Sequence, residues 1–348
     1  MKKTVVRIIL TLVLILSILF VFACKKEAGG LGSQQLTYEG AGIEVEEPRW
    51  LIITYEGVYM EKIDVTGLEP GEDFVWIGYG TCEYPWQGED SINLEPADGL
   101  VWANGKAVQA NLRYVDLEEI PDLETILSVY ADRRHLSLLK RFPNLVAVNL
   151  FDSDLCDSDL VHLASLTNLR KLDLWETQIT DAGLKHLAGL RDLRWLNLSS
   201  TEITDSGFAQ LAGLTKLRYL WLAGTGITNK SLTYISSFVN LRDLNLGGTR
   251  ITNKGVKQLC GLTNLRKLGL NATWITDGAL RQIAQLHNLR QLSLARTIIT
   301  DRGLRYLTPL KNLEWLWIPM TFVTPWGVKR FRKALPDCHV STIAAVSN

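Results

Sequence analysis

Asp152, Asp154, Asp157 and Asp159 crowd four carboxylates into eight residues, a density that invites a calcium ion. An EF-hand loop also needs a glycine at its sharp turn and a distal bidentate glutamate. Neither is present, and Asp157 falls where a helix start needs a capping group. His162 and His186 occupy matching positions 24 residues apart. Two imidazoles without thiolate or carboxylate partners are too few for zinc. His135, His287 and His339 complete the histidines, and none of the five is paired with a nucleophile. No G-x-S-x-G elbow, Gly-rich phosphate loop, H-E-x-x-H or C-x-x-C pairing occurs. The chain therefore reads as non-catalytic, with no metal and no cofactor. What remains is the chemistry of recognition: Trp175, Trp195, Tyr219 and Trp221, with Asp173 and Asn197 beside them. Aromatic faces next to short polar groups suit a protein hot spot or a sugar ring.

These residues fall inside a 24-residue pattern that runs eight times without a gap, starting at Phe142, Leu166, Leu190, Leu214, Phe238, Leu262, Leu286 and Leu310. Self-similarity at this period means a solenoid, propeller or array. In the copy from Leu166, Leu172 and Leu174 alternate with Lys171, Asp173 and Trp175, the period of a short half-buried strand. Ile179, Leu184 and Leu187 follow as one apolar stripe of a short helix. Most copies begin that helix with Thr-Asp or Thr-Asn, but the last reads Thr324-Pro325. Proline is favoured at the first helical position, so the threonine before it is the expected N-cap.

One copy cannot bury enough apolar surface to offset the cost of ordering it, so the copies must stack. Strands then pair in parallel along one face and helices lie along the other. Helices are wider than the ~4.8 Å strand spacing, so the array curves with its strands inside, and eight of them give an inner wall of about 40 Å. The ninth-position hydroxyls are Ser153, Thr177, Thr201, Thr225, Thr249, Thr273, Thr297 and Thr321. They stand where the backbone leaves the strand and turns inward, and a buried turn needs hydrogen-bond partners. This column is expected to be structural, with no base to activate it.

The L-x-x-L-x-L-x-x-T core resembles the leucine-rich repeat, with Thr where that family more often carries Asn or Cys. The I-T-D-x-G-L-x-x-L-A segment is similar to the helix-bearing repeats of many bacterial proteins and of the substrate-reading arms of F-box proteins. The resemblance implies an α/β solenoid, a horseshoe with parallel inner strands and outer short helices.

On the inner wall the aromatic residues are Phe151, Trp175, Trp195, Tyr219 and Trp221, then Trp315 and Trp317. Trp175, Trp195, Tyr219 and Trp221 lie on three adjacent strands, with Asn149, Asp173, Asn197 and Asn245 in the column of Trp221. They form the expected ligand-binding patch, in which Asp173 and Asn197 orient a polar group. Trp315 and Trp317 belong to the last copy and are expected to pack under the terminal cap. Arg170, Arg194, Arg218, Arg242, Arg266 and Arg290 form an unbroken column ended by Glu314. It reads as a solvated edge, with an extended anion as the alternative.

Ahead of the array, Lys2, Lys3 and Arg7 precede an apolar run from Ile8 to Ala23, the layout of a targeting segment. Val21-Phe22-Ala23-Cys24 resembles a bacterial lipobox, which implies lipidation of Cys24 and a membrane-anchored, exported protein. An uncleaved anchor helix is the alternative, although the run is short of the ~20 residues a span needs. Setting aside those three basic residues, 34 of the 37 remain against 37 acidic ones, a net of −3. That balance argues against nucleic acid as a partner. In an exported chain Cys82, Cys156, Cys260 and Cys338 invite disulfides. Cys260 falls in the small-residue column of Ala188 and Ala212, and Cys338 replaces a core leucine. Only Cys82 with Cys156 is left as a conceivable pair.

The organisation read from the sequence is a signal peptide at 1–23, a tether at 24–36, a small all-β unit at 37–119, a degenerate cap repeat at 120–141, eight repeats at 142–334 and a C-terminal cap at 335–348. Asn104-Gly105 marks a hairpin inside the β unit. In the cap repeat Ile120, Leu123 and Ile126 are expected on the strand side, and Leu136 and Leu139 on the helix side. The function expected is protein binding at the concave face of a membrane-tethered module in the cell envelope or at the cell surface. A glycan binder on the same face and an envelope scaffold without a discrete ligand are the alternatives.

Overall fold

The computed structural model describes residues 106–342 throughout, with side chains from 110 onward, and the earlier strands Ser33–Tyr38, Ala41–Glu46, Trp50–Tyr55, Val58–Asp64 and Leu100–Ala103. The leader, Cys24 and Cys82 lie outside the described residues. The first four strands pair antiparallel in sequence order. Leu100–Ala103 pairs antiparallel with Lys106–Asn111.

The main sheet is an α/β solenoid in which each copy contributes one parallel strand. Its strands are Lys106–Asn111, Ser128–Tyr130, Ala147–Asn149, Lys171–Asp173, Trp195–Asn197, Tyr219–Trp221, Asp243–Asn245, Lys267–Gly269, Gln291–Ser293, Trp315–Trp317 and His339–Ser341. Register is set by the central leucines: Leu172 faces Leu196, then Leu220, Leu244, Leu268, Leu292 and Leu316, all fully buried. The returns are short helices such as Asp205–Phe208, Ser231–Ile235, Asp277–Ile283 and Pro325–Ala334, or single three-ten turns such as Leu184–His186. One apolar core runs without interruption from Ala110 to Val340.

Three columns, two of side chains and one of backbone conformation, hold the copies in shape. Each ninth-position hydroxyl donates to the carbonyl three residues earlier, from Thr177 to Leu174 (2.8 Å) through Thr297 to Leu294 (2.6 Å), and Ser153 and Thr321 do the same. The expected structural column is thus a set of turn locks, each closed inside its own copy. The residue just before it always has positive φ: Asp152, Glu176, Ser200, Gly224, Gly248, Ala272, Arg296 and Met320.

The third column joins copies to one another. Asp181 accepts the backbone N–H of Thr204 (2.7 Å) and its hydroxyl (2.5 Å), 23 residues on. Asp157, Asp205, Asp277 and Asp301 hold Thr180, Thr228, Thr300 and Thr324 in the same way. Asn229 and Asn253 reproduce the rung with an amide that accepts the N–H and donates to the hydroxyl. Asp157 was read as a helix-capping group; its carboxylate instead ties the next copy. The same rung explains the glycine of T-D-x-G, since a Cβ at Gly207 would stand 2.2 Å from Asp181 Oδ1. Where Ser231 replaces that glycine, its hydroxyl donates to Asp205 at 2.6 Å. The threonines also cap: Thr204, Thr276, Thr300 and Thr324 accept from the first helical amides.

The structure moves several details. The cap strand is Ser128–Tyr130, so Val129 and Ala131 are strand-side core residues, following Ile126. Leu136 and Leu139 are buried on the helix side. Lys106–Asn111 pairs in parallel with Ser128–Tyr130, so the solenoid sheet begins ahead of residue 120. Cys338 is buried among the core residues, and burial pushes its thiol up to about 12. Cys260 is half-buried, not enclosed, and Cys156 is a free thiol that donates to Asp159 at 3.1 Å.

Candidate functional site

The inner wall consists of two columns on the strands and a third just past them. The first runs Lys171, Trp195, Tyr219, Asp243 and the second Asp173, Asn197, Trp221, Asn245. Trp175 follows its strand in the third column, next to Phe151. The wall aromatics fall into two groups. Phe151 and Trp175 stack at 6.1 Å with 23° between planes. Trp195 meets Trp221 edge to face at 5.1 Å, and Lys171 Nζ lies 4.4 Å from the Trp195 ring centroid. Trp221 Nε1 donates to Asp243 at 3.2 Å, which fixes the indole plane. Tyr219 stands in register between Trp195 and Asp243.

Exposure separates these rings. Trp195 is only 4% exposed, whereas Trp175, Tyr219 and Trp221 are half-buried. Asp173 and Asn197 are each 2% exposed. Asp173 accepts the Trp175 N–H at 3.1 Å and Asn197 the Ser199 N–H at 3.0 Å. Asn149 and Asn245 do likewise for Phe151 and Gly247. The middle column is therefore a run of side-chain-closed turns, and Asp173 acts on the wall through the backbone beneath Trp175.

Burial raises the Asp173 carboxyl to about 6, partly offset by Lys171 and by hydrogen bonds from Trp175 and Asn197. Burial likewise lowers the Lys171 ammonium well below its ordinary value, with Asp173 working against that shift. A charged pair on a covered wall is expensive unless both members stay close.

Trp315 and Trp317 stack with 16° between planes at 5.4 Å, and His339 sits 4.4 Å from Trp315. Trp315 is 39% exposed. Trp315 meets the closing strand His339–Ser341 of the terminal cap, but both rings stand on the wall and neither is enclosed.

Sequence reasoning missed a second apolar surface. The position between the ninth-position threonine and the following isoleucine is exposed in every copy and carries Asp154, Gln178, Glu202, Gly226 and Arg250, then Trp274, Ile298 and Phe322. The last three are each more than half exposed, and successive copies are bridged there. Met320 and Trp326 add exposed apolar area at the same end. The signal was the change from polar to apolar residues down one column.

Among the described residues no group of three or more His, Cys, Asp or Glu is arranged to hold a metal ion. None of their helices is long and apolar enough to cross a membrane.

A curved parallel sheet, one strand per 24-residue copy, defines a solenoid that presents a wall of side chains. A family profile described as "Leucine-rich repeat region" matches residues 125–326. The chain belongs to the leucine-rich repeat family, and its array is a protein-binding repeat module. Similar solved structures include an internalin (inlF) from Listeria monocytogenes, 20% identical, covering 66% of this chain and 77% of that one with a TM-score of 0.48. Internalin C2 from the same organism is 28% identical, covering 58% and 81% respectively, with a TM-score of 0.44. No curated protein matches the chain.

Proposed function

We propose that this chain is an exported module, anchored through a lipid on Cys24, that binds a protein with the concave face of its array. The observation that carries the reading is the ring group on adjacent strands, with Trp195 beneath and Trp221 and Tyr219 partly open to solvent. Half-buried aromatics held by edge-to-face contacts and an indole hydrogen bond are preorganised, and rigid aromatic anchors dominate protein interfaces. Trp175 extends the patch, and Asp173 and Asn197 hold its backbone in place. No reaction is assigned to it.

Affinity capture with the full chain, from envelope, extracellular and host fractions, tests this reading. Trp221→Ala should weaken the captured complex by more than ~2 kcal/mol while the melting temperature changes little. Unchanged capture together with a lowered melting temperature would make these rings packing only. The anchor is tested separately: Cys24→Ala should abolish detergent partitioning, and an intact Met1–Ala23 segment on exported protein would overturn it. A glycan on the same face is the second reading, favoured by the partly open, stacked Trp315 and Trp317 pair. Capture that survives protease treatment of the target surface would select it.

A further inference from the structure

The heads of the strands form a surface separate from the wall. Arg218, Arg242, Arg266 and Arg290, together with Asn240, Asn264, Asn288 and Asn312, line a groove of about 340 Å³. Its spacing is fixed by the backbone, because Arg242 N–H donates to the Arg218 carbonyl, Arg266 to Arg242 and Arg290 to Arg266, each at 2.7 Å. The asparagines are fixed as well. Their amides donate to the preceding copy, at Thr215 (3.3 Å), Val239 (2.9 Å), Thr263 (2.8 Å) and His287 (2.9 Å).

The guanidiniums of Arg218, Arg242 and Arg266 make no hydrogen bond or ion pair among the described residues. An ion pair closes the arginine row at one end, Arg290 with Glu314 at 3.2 Å, and Lys216 pairs with Asp192 where the asparagine row stops. Like charges held side by side repel, and directly opposed like charges weaken a sheet. The fold spaces three of them evenly and leaves them unneutralised.

We propose that this groove binds an acidic polysaccharide lying across the strands, one anionic group per copy. Spacing sets aside two other polyanions. The arginines repeat at the strand separation of ~4.8 Å, whereas an extended peptide directs side chains to one side only every ~6.6 Å. A duplex DNA strand spaces its phosphates by about 3.4 Å along the axis. An acidic polysaccharide instead carries hydroxyl donors beside each sulfate or carboxylate, the pairing that an arginine row alongside an asparagine row can meet. Planar guanidiniums suit sulfate and carboxylate alike, by paired N–H donors, and the asparagine carbonyl oxygens are acceptors for ring hydroxyls.

The test is a titration of the full chain in detergent with heparin, a sulfated chain, and alginate, a carboxylated one. Duplex DNA and polyglutamate are the competing probes. Binding to heparin or alginate, or to both, is expected, and the arm that binds identifies the anion. Arg242→Gln with Arg266→Gln should weaken that binding at least about tenfold at unchanged melting temperature. Arg242→Lys should lose less, because it keeps the charge. Glu314→Gln should strengthen binding, since it frees Arg290. The salt slope should fall by about one for each arginine removed. Trp221→Ala should leave polysaccharide binding unchanged, which separates this groove from the wall. The proposal is overturned if neither polysaccharide binds at low salt. It is equally overturned if the double glutamine variant binds as before, or if DNA or polyglutamate binds as tightly.

Discussion

Replacing Asp277 by alanine removes one rung between copies and leaves the core untouched. The carboxylate accepts the Thr300 N–H at 2.8 Å and its hydroxyl at 2.7 Å. Hydrogen bonds to a charged group contribute about 1.5–3 kcal/mol each when buried. This site is only partly buried, and water will replace part of what is lost, so the pair together should be worth about 2 kcal/mol. For a domain of this size 1 kcal/mol moves the melting temperature by roughly 2–4 °C, so Asp277→Ala should lower it by about 4–8 °C. Asp277→Asn should cost less than ~1 kcal/mol, because Asn229 and Asn253 already hold equivalent rungs by amide. Urea titration followed by tryptophan fluorescence measures both. A double-mutant cycle with Thr300→Val isolates the hydroxyl's share, expected near ~1 kcal/mol of coupling. If Asp277→Asn is as damaging as Asp277→Ala, or the alanine variant lies within ~0.5 kcal/mol of the parent, the rung is decoration.

A second rung and the turn locks give two further predictions. Burial raises the Asp205 carboxyl, but the hydrogen bonds from Ser231 and Thr228 outweigh it, and the group sits below its ordinary value. A depressed carboxylate gives stability that is present above the unfolded value of ~3.9 and lost as pH falls through the folded one. Thermal melts between pH 7 and pH 2 should therefore show an acid-side loss that Asp205→Asn reduces; an unchanged profile would refute it. Thr225→Val removes the hydroxyl donated to the Leu222 carbonyl at 2.6 Å and should cost ~1–3 kcal/mol, against ~2–5 kcal/mol for the cavity of Leu220→Ala. A neutral Thr225→Val at unchanged fold would remove the turn locks from the account.

How much of this was legible depends on the range of each interaction. The leucine period sets the register because core alternation is local and repeats within every copy. Thr324-Pro325 located the helix start because proline's constraint is local too. The aspartate of Thr-Asp looked like a capping residue because its partner lies 23 residues away, in the next copy. The cap strand was displaced because Leu123 and Phe142 are 19 residues apart, which breaks the 24-residue period. The low exposure of Trp195 could not be read from its column, because it depends on Lys171 and Trp221 closing over the ring. Trp274, Ile298 and Phe322 were passed over because the position after the turn belongs to neither the strand period nor the helix period.

The positive-φ column also ranks the copies mechanically. Glycine, which bears this conformation without penalty, occupies it only at Gly224 and Gly248, in the middle of the array. On either side stand Asp152, Glu176 and Ser200, then Ala272, Arg296 and Met320, each carrying about 1–2 kcal/mol of left-handed strain. Under tension, then, the solenoid should shed its outer turns before its central ones. Each release frees 24 residues, a contour gain of roughly 80 Å per step. The horseshoe would behave as a spring of graded coils, stiffest at its centre and yielding from the rims.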